Sequence, residues 1–290
     1  MSTSEEDKRA GLPDPKNIGA LVFDLDGTIL TPEVALSERT IRTIQACRQR
    51  GLQVIIATGR AIDGAERIRT ALGVEGPMIY CNGAMVADMP GGEIISATLM
   101  DKEAASFCVD LSREMGVYYQ VFFPGAIKES QITLIAEQKG PEWEMYANHT
   151  GIRAELGDLK QALGRPGLKG CIKSMFLAEP EVQAALRPKI VERFGKSIYI
   201  AQTLHNFLEI MDAKVSKGQG LKIVMEHCSL RREEILAFGD EENDLPMFAE
   251  AGFSAAPSNA KDSVKAAASL VIGSNAEDGV AAFLEKFFKL

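Results

Sequence analysis

The sequence predicts a doubly wound α/β core with a Rossmann-like parallel sheet, interrupted by an inserted α+β domain. Three observations predict it. Short β-branched runs alternate with amphipathic stretches over residues 17–86 and again over 212–290, the pattern of a parallel sheet wrapped by helices. Between residues 87 and 211 that alternation gives way to paired strand-like runs and turns. Polar clusters directly follow several predicted strands, and open parallel sheets bind ligands beyond the carboxyl ends of their strands.

The first element, "GALVFDL", reads as a strand covered on both faces, and "LSERTIRTIQACRQRG" as a helix with Ser37 as N-cap, Ile41, Ile44 and Cys47 on one face, and Gly51 as the stop. "LQVIIAT" is the second buried strand, "AIDGAERIRTALG" the second helix, and "PMIYCNG" the third strand. "AMVADMPGGEIISATL" reads as a hairpin turning at Gly91 and Gly92, and "DKEAASFCVDLSREMG" as a helix capped by Asp101. Strands come next at "VYYQVFF", "CIKSMFLA", "SIYIAQT" and "NFLEIM", with helices between them, and Pro188 is expected to bend or break a helix over 181–194. Alternation resumes with a helix from Lys217, the strand "EILAFGD", a helix from Asn243, "FSAAP", a helix from Ala260, "LVI" and a last helix over 278–289. Residues 1–16 read as a flexible tail without the apolar core of a signal peptide.

Composition narrows the function classes. Hydrophobic residues at 46% and charged residues at 25% are ordinary for a folded soluble protein. A net charge of −8 argues against nucleic-acid binding, which needs clustered Lys and Arg. No apolar stretch approaches the roughly 20 residues that span a bilayer. Five widely spaced cysteines, Cys47, Cys81, Cys108, Cys171 and Cys228, suit reduced thiols in a cytoplasmic protein.

The polar clusters carry the chemistry. Asp24, Asp26, Gly27 and Thr28 follow the first strand, Thr58, Gly59 and Arg60 the second, and Asp240 follows "EILAF", while Lys217 opens a helix. Asp24 and Asp240 suit a Mg²⁺ ion, which takes few protein carboxylates and leaves room for substrate oxygens. Thr58 offers a hydroxyl, Lys217 an ammonium, and the amides around Asp26 and Gly27 an anion nest. Asp24, Asp240 and Asp244 outnumber Lys217 in charge, so a phosphate dianion would be repelled unless a divalent cation entered with it. Alone, each cluster has an ordinary structural reading, "DLDGT" as a turn and "GDEEND" as a helix start; their order and placement at element ends favour the functional one.

In that order, "DLDGT" at 24–28, "ATGR" at 57–60, "NGA" at 82–84, "SKG" at 216–218, "GDEENDLPM" at 239–247 and "NAEDG" at 275–279 resemble the haloacid dehalogenase (HAD) superfamily, and within it the Cof-type phosphatases of subclass IIB. The resemblance implies a catalytic core of residues 17–86 and 212–290, with residues 87–211 as the inserted cap that sets substrate specificity. It implies that Asp24 attacks phosphorus and Asp26 serves as acid and then base. Mg²⁺ would be held by Asp24, Asp240 and the Asp26 carbonyl, with Asn243 and Asp244 supporting that shell. Gly27, Thr58, Gly59, Arg60, Asn82, Lys217 and Asn243 would hold phosphate or substrate. The expected partner is a small phosphorylated metabolite, with sugar phosphates the default, and the sequence leaves the oligomeric state open. A phosphomutase using the same aspartyl-phosphate and a silent phosphometabolite-binding protein are the alternatives. Pro257 departs from the family pattern and is expected to reshape the loop near Asn259. In the cap, His205, Asn206, Arg165 and Lys169 are candidates to face a substrate.

Overall fold

Ala20–Phe23 (β1) has no exposed residue, as a strand covered on both faces requires. This is seen in a computed structural model of the chain, which describes residues 12–124 and 132–290. Most of the expected tail, residues 1–11, therefore lies outside the described residues; Pro15–Asn17 form one tight turn, with Asp14 accepting from Lys16 N at 3.0 Å. The described chain divides into two units, one of residues up to Thr58, Ile68–Ile79 and Ser216–Leu290, the other of Gly59–Arg67 and Tyr80–Val215.

After β1 the chain makes a single π-type turn over Leu25–Ile29, closed by Leu30 N on Leu25 O at 3.0 Å. Helix α1 (Glu38–Gln49) then starts at Ser37, whose hydroxyl accepts from Thr40 N at 3.0 Å. Its buried face is Thr40, Thr43, Ile44 and Cys47, with Ile41 only half-buried. The face is turned toward the threonines because Thr43 donates to Glu285 at 2.9 Å beside the Arg39–Glu285 ion pair. Strand β2 (Gln53–Ile56), helix α2 (Ile62–Leu72) and strand β3 (Gly76–Tyr80) come next. The third expected strand forms as β3, and within its own unit it meets the end of β2 through the bridge Ala57–Ile79.

The middle of the chain builds the second unit. A hairpin of β4 (Met85–Met89) and β5 (Glu93–Ala97) leads to α3 (Lys102–Met115), whose cap Asp101 accepts from Glu103 N at 2.8 Å. Then come β6 (Tyr118–Pro124), β7 (Ile132–Ala136), α4 (Pro141–Thr150), β8 (Glu155–Leu156), α5 (Leu159–Leu163) and β9 (Lys173–Leu177). Helix α6 (Pro180–Phe194) leads to the last pair, β10 (Ile198–Leu204) and β11 (Phe207–Asp212). The six strands are ordered β10-β11-β9-β6-β7-β8, all antiparallel except β7 with β8. Helix α6 continues through Pro188, against the expected bend or break. Pro188 lies on the exposed side, where water can take up the freed carbonyl, while Leu186 and Ile190 bury on either side of it.

The first unit is completed by α7 (Lys217–Cys228), β12 (Ile235–Phe238), α8 (Leu245–Glu250), β13 (Phe253–Pro257), α9 (Asp262–Ala267), β14 (Leu270–Ile272) and α10 (Gly279–Phe288). The helix expected from Asn243 starts at Leu245, because a tight turn over Glu242–Asp244 precedes it. The parallel sheet runs β14-β13-β12-β1-β2. Its register sets Phe23 against Phe238 and Ile56, and the Phe23 and Phe238 rings stack at 5.0 Å. The segments leaving the carboxyl ends of β1, β2 and β12 therefore emerge at one rim of the sheet. Among the described residues no helix is long and apolar enough to cross a membrane.

Candidate active site

Phe23 and Phe238 are register partners, so Asp24 and Asp240 leave the sheet side by side. Asp24 is tied to the sheet by its amide, which donates to Phe238 O at 3.0 Å. Lys217, in the first turn of α7, comes to the same rim because Ser216 caps that helix, accepting from Gln219 N at 3.0 Å. Its ammonium lies 2.8 Å from Asp24 Oδ1 and 2.7 Å from Asp244 Oδ1. The other Asp244 oxygen accepts from the amides of Asp240 and Glu241 at 2.9 and 3.0 Å. Asp244 thus fixes both Lys217 and the chain that carries Asp240.

Asp24, Asp240 and Asp244 each bring one carboxylate oxygen to within 4.8 Å of the others. Asp24 and Asp240 are 5% and 7% exposed, and Asp244 and Lys217 are buried. Burial pushes the Asp24 carboxyl well above the usual carboxylate range against the pull of Lys217, with the Asp244 and Asp240 charges adding to the rise. Asp240 is pushed up to about 7, by burial first and the Asp244 charge second, with the Thr28 hydroxyl opposing. Burial pulls Lys217 down, but the Asp24 and Asp244 charges more than offset it and hold the ammonium protonated. Once ionised, three acids around one ammonium carry excess negative charge, and hard oxygen donors of that kind suit a divalent cation such as Mg²⁺. The donor set fits.

Gly27 has φ +76°, and a Cβ there would lie 2.1 Å from Asp240 Oδ2, so only glycine lets the turn pass this carboxylate. Thr28, to which the sequence alone assigns no role, donates to Asp240 Oδ1 at 2.7 Å and sets that carboxylate's orientation. Its signal is its place inside "DLDGT". The loop after Pro257 is tied in by Asn259, which donates to Gly27 O at 2.8 Å and accepts from Asn275 N at 2.9 Å. Asn275 in turn donates to Leu30 O at 2.8 Å, so the "NAEDG" segment supports the first turn.

The remaining candidates are divided between the two units. Asp26 is half-buried within the first turn, in extended backbone, and Asn243 is half-buried in the turn before α8. Thr58 is buried, its amide on Ile79 O at 2.9 Å. Gly59, Arg60 and Asn82 belong to the second unit. There the Arg60 guanidinium donates to Gly64 O at 3.1 Å and the Asn82 amide to Glu209 Oε2 at 3.0 Å. His205 is exposed, 4.0 Å from Glu179, and Asn206 lies on Met145 Sδ at 2.9 Å. Lys173 and Glu209, both buried in the second unit, escape sequence reading; their signal is a charge inside each of two apolar strands.

The sequence pattern of the haloacid dehalogenase-like hydrolases matches residues 21–284. A relative from Haemophilus influenzae is 32% identical over 278 residues, covering 93% of this chain and 97% of its own. The 5-amino-6-(5-phospho-D-ribitylamino)uracil phosphatase of Bacillus subtilis is 29% identical, covering 93% of this chain and 97% of its own. The pyridoxal phosphate phosphatase of Escherichia coli is 28% identical, covering 91% and 96%. Among solved structures, one from Thermotoga maritima superposes with a TM-score of 0.79 at 29% identity, over 93% of this chain and 97% of that one. A haloacid dehalogenase-like hydrolase from Bacteroides thetaiotaomicron, at 22% identity and a TM-score of 0.83, shares the fold over 93% of this chain and all of its own.

Proposed function

This chain belongs to the haloacid dehalogenase-like hydrolase family, and from that premise we propose that it is a Mg²⁺-dependent phosphatase of small phosphorylated metabolites, sugar phosphates first among them. The observation that carries the reading is the rim cluster in which Asp24, bonded to Lys217, shares its site with Asp240 and Asp244.

The chemistry follows the family resemblance, and the pairing of Asp24 with Lys217 supports it. Asp24 Oδ attacks phosphorus opposite the ester oxygen; a P–O bond forms to Asp24 as the bond to the leaving group breaks. The departing alkoxide takes a proton from Asp26. Water then attacks the aspartyl-phosphate, Asp26 accepts its proton, and the bond to Asp24 breaks to release phosphate. Splitting one hard displacement into two is the gain of covalent catalysis. Lys217 and Thr58 are assigned to phosphoryl oxygens, Gly27, Gly59, Arg60 and Asn82 to binding phosphate or substrate, and Asp244 keeps Lys217 in place. Mg²⁺, held by Asp24, Asp240 and the Asp26 carbonyl with Asn243 and Asp244 behind them, would supply positive charge where negative charge gathers. Residues 87–211 are assigned to substrate selection, and the fold units support a division near those bounds. Five free thiols support a cytoplasmic setting.

The test is phosphate release from a panel of sugar, nucleotide and cofactor phosphates, with Mg²⁺ or with EDTA, for wild type and Asp24→Asn. Turnover that requires Mg²⁺ and falls by about 10³-fold or more in the variant is expected. Bisphosphate-dependent transfer between sugars would point to the mutase, and tight binding without release to a silent protein.

A further inference from the structure

Lys173 in "CIKSMFLA" and Glu209 in "NFLEIM" are charges in strands that are otherwise almost wholly apolar. Strand alternation puts Lys173, Met175 and Leu177 of β9 on one face, and the pairing of Met175 with Glu209 puts Glu209 of β11 on the same face. The opposite face, with Tyr119, Phe176, Leu208 and Ile210, is the one packed into the apolar core with α3 and α6. The sheet of the second unit thus has one greasy face and one face where charges are buried.

Lys173 and Glu209 are 2% and 3% exposed at the side chain and form an ion pair. The Lys173 ammonium also lies over the Phe122 ring at 4.7 Å. A buried pair of this kind adds little net stability over apolar residues of similar volume, so its use lies in what else the two groups hold. Lys173 Nζ donates to Gly59 O at 2.9 Å, and Glu209 Oε2 accepts from Asn82 Nδ2 at 3.0 Å. The two held segments are themselves linked, by Cys81 N on Arg60 O at 2.9 Å. Cys81 and Asn82 both sit at positive φ, +50° and +57°. Neither is glycine, and such backbone persists only where its surroundings hold it. A Cβ on Gly59 would come within 3.1 Å of Asn82 Oδ1, so the segments touch with no room to spare.

We propose that Lys173 and Glu209 are positioning residues for the phosphatase reaction: one buried ion pair fixes the Gly59 carbonyl and the Asn82 side chain, and with them the two turns that present Thr58 and Asn82 to the substrate. The proposal rests on the phosphatase reading for those two roles. Thr58 is one peptide bond from Gly59, so loosening Gly59 moves the hydroxyl that is to hold a phosphoryl oxygen. Loss of alignment of this kind lowers turnover more than binding.

The test uses the full chain carrying Lys173→Met together with Glu209→Leu, which removes both charges and strands neither, with Glu209→Gln, which leaves Lys173 buried without its anion, as a second variant. Two readouts are taken, steady-state kinetics on the best substrate of wild type and amide hydrogen exchange of peptides covering 57–61 and 80–84. In the double variant, kcat is expected to fall about tenfold or more with KM within about threefold, and exchange to quicken in those two peptides while α3 and α6 keep wild-type protection. Glu209→Gln, with one amide oxygen for both Lys173 and Asn82 and no charge to pair the ammonium, is expected to lose at least as much. Unchanged exchange at 57–61 and 80–84 overturns the proposal, whatever the activity, and so does a wild-type kcat in the double variant. Failure of wild type to release phosphate from any substrate sinks the phosphatase reading instead, and the exchange result then decides alone whether the pair fixes the two turns.

Discussion

The two units each bury a lysine against carboxylates, and they do so with opposite charge balance. In the first, Lys217 meets Asp24 and Asp244 with Asp240 beside them. In the second, Lys173 meets Glu209 alone, and the spare atoms of the pair are used on Gly59 and Asn82. A balanced pair whose atoms are all engaged within the protein is scaffolding. An unbalanced group, with the Asp24 and Asp240 carboxyls pushed up in pKa, carries charge that a cationic ligand would offset. The same residue types therefore mark opposite roles, and charge count separates them.

Removing one charge from each set separates the two roles. Lys173→Met leaves Glu209 buried without its cation, and the fold should lose about 3–5 kcal/mol in urea unfolding. Adding Glu209→Leu should return most of that. A loss in the double variant as large as in the single would mean the pair is worth its full strength as a pair, against the scaffold reading.

In the acid-rich set the sign reverses. Asp240→Asn removes one of the crowded acids while keeping an acceptor for Thr28, and in metal-free protein near pH 8 it should raise stability by about 1–3 kcal/mol. Destabilisation there would show that Asp240 is already satisfied without a cation.

A smaller effect sharpens the same contrast. The Asp240 carboxyl ordinarily titrates near 3.8 and is held up to about 7 in the folded chain. The stability it leaves intact below about pH 4 is therefore lost as pH rises through about 7, since the unfolded chain releases that proton first. A divalent cation on the carboxylates offsets the loss, so Mg²⁺ should raise Tm by more at about pH 8 than at about pH 5. Scanning calorimetry at the two pH values checks it, and an equal rise at both would place the ion elsewhere. In Asp240→Asn the pH dependence should flatten.

Much of the first set is legible in the sequence because it is local to strand and helix ends. "DLDGT", "SKG" and "GDEENDLPM" each state a type of element and what stands at its tip, and parallel register does the rest by aligning Phe23 with Phe238. What is not legible depends on pairing between distant strands. Lys173 and Glu209 lie 36 residues apart in sequence, and nothing local says that they meet or that Gly59 and Asn82 are their targets. Thr28 reads as part of a turn until the position of Asp240 is known. The same holds for β3, whose apolar run announces a strand but not its single bridge to β2. Pro188 defeats sequence reading for another reason: its cost depends on which side of α6 it faces, and the exposed side tolerates it.

The central claim is that Asp24, within the acid-rich set, becomes the phosphoryl carrier. The direct measurement is acid quenching during turnover of the best substrate with Mg²⁺, followed by mass spectrometry of the peptide that contains Asp24. The account predicts a phosphoryl adduct on Asp24 that forms within one turnover, decays on chase with unlabelled substrate, and is absent from Asp24→Asn. Steady phosphate release with no adduct on that peptide under the same quench, or an adduct on another residue, would contradict it.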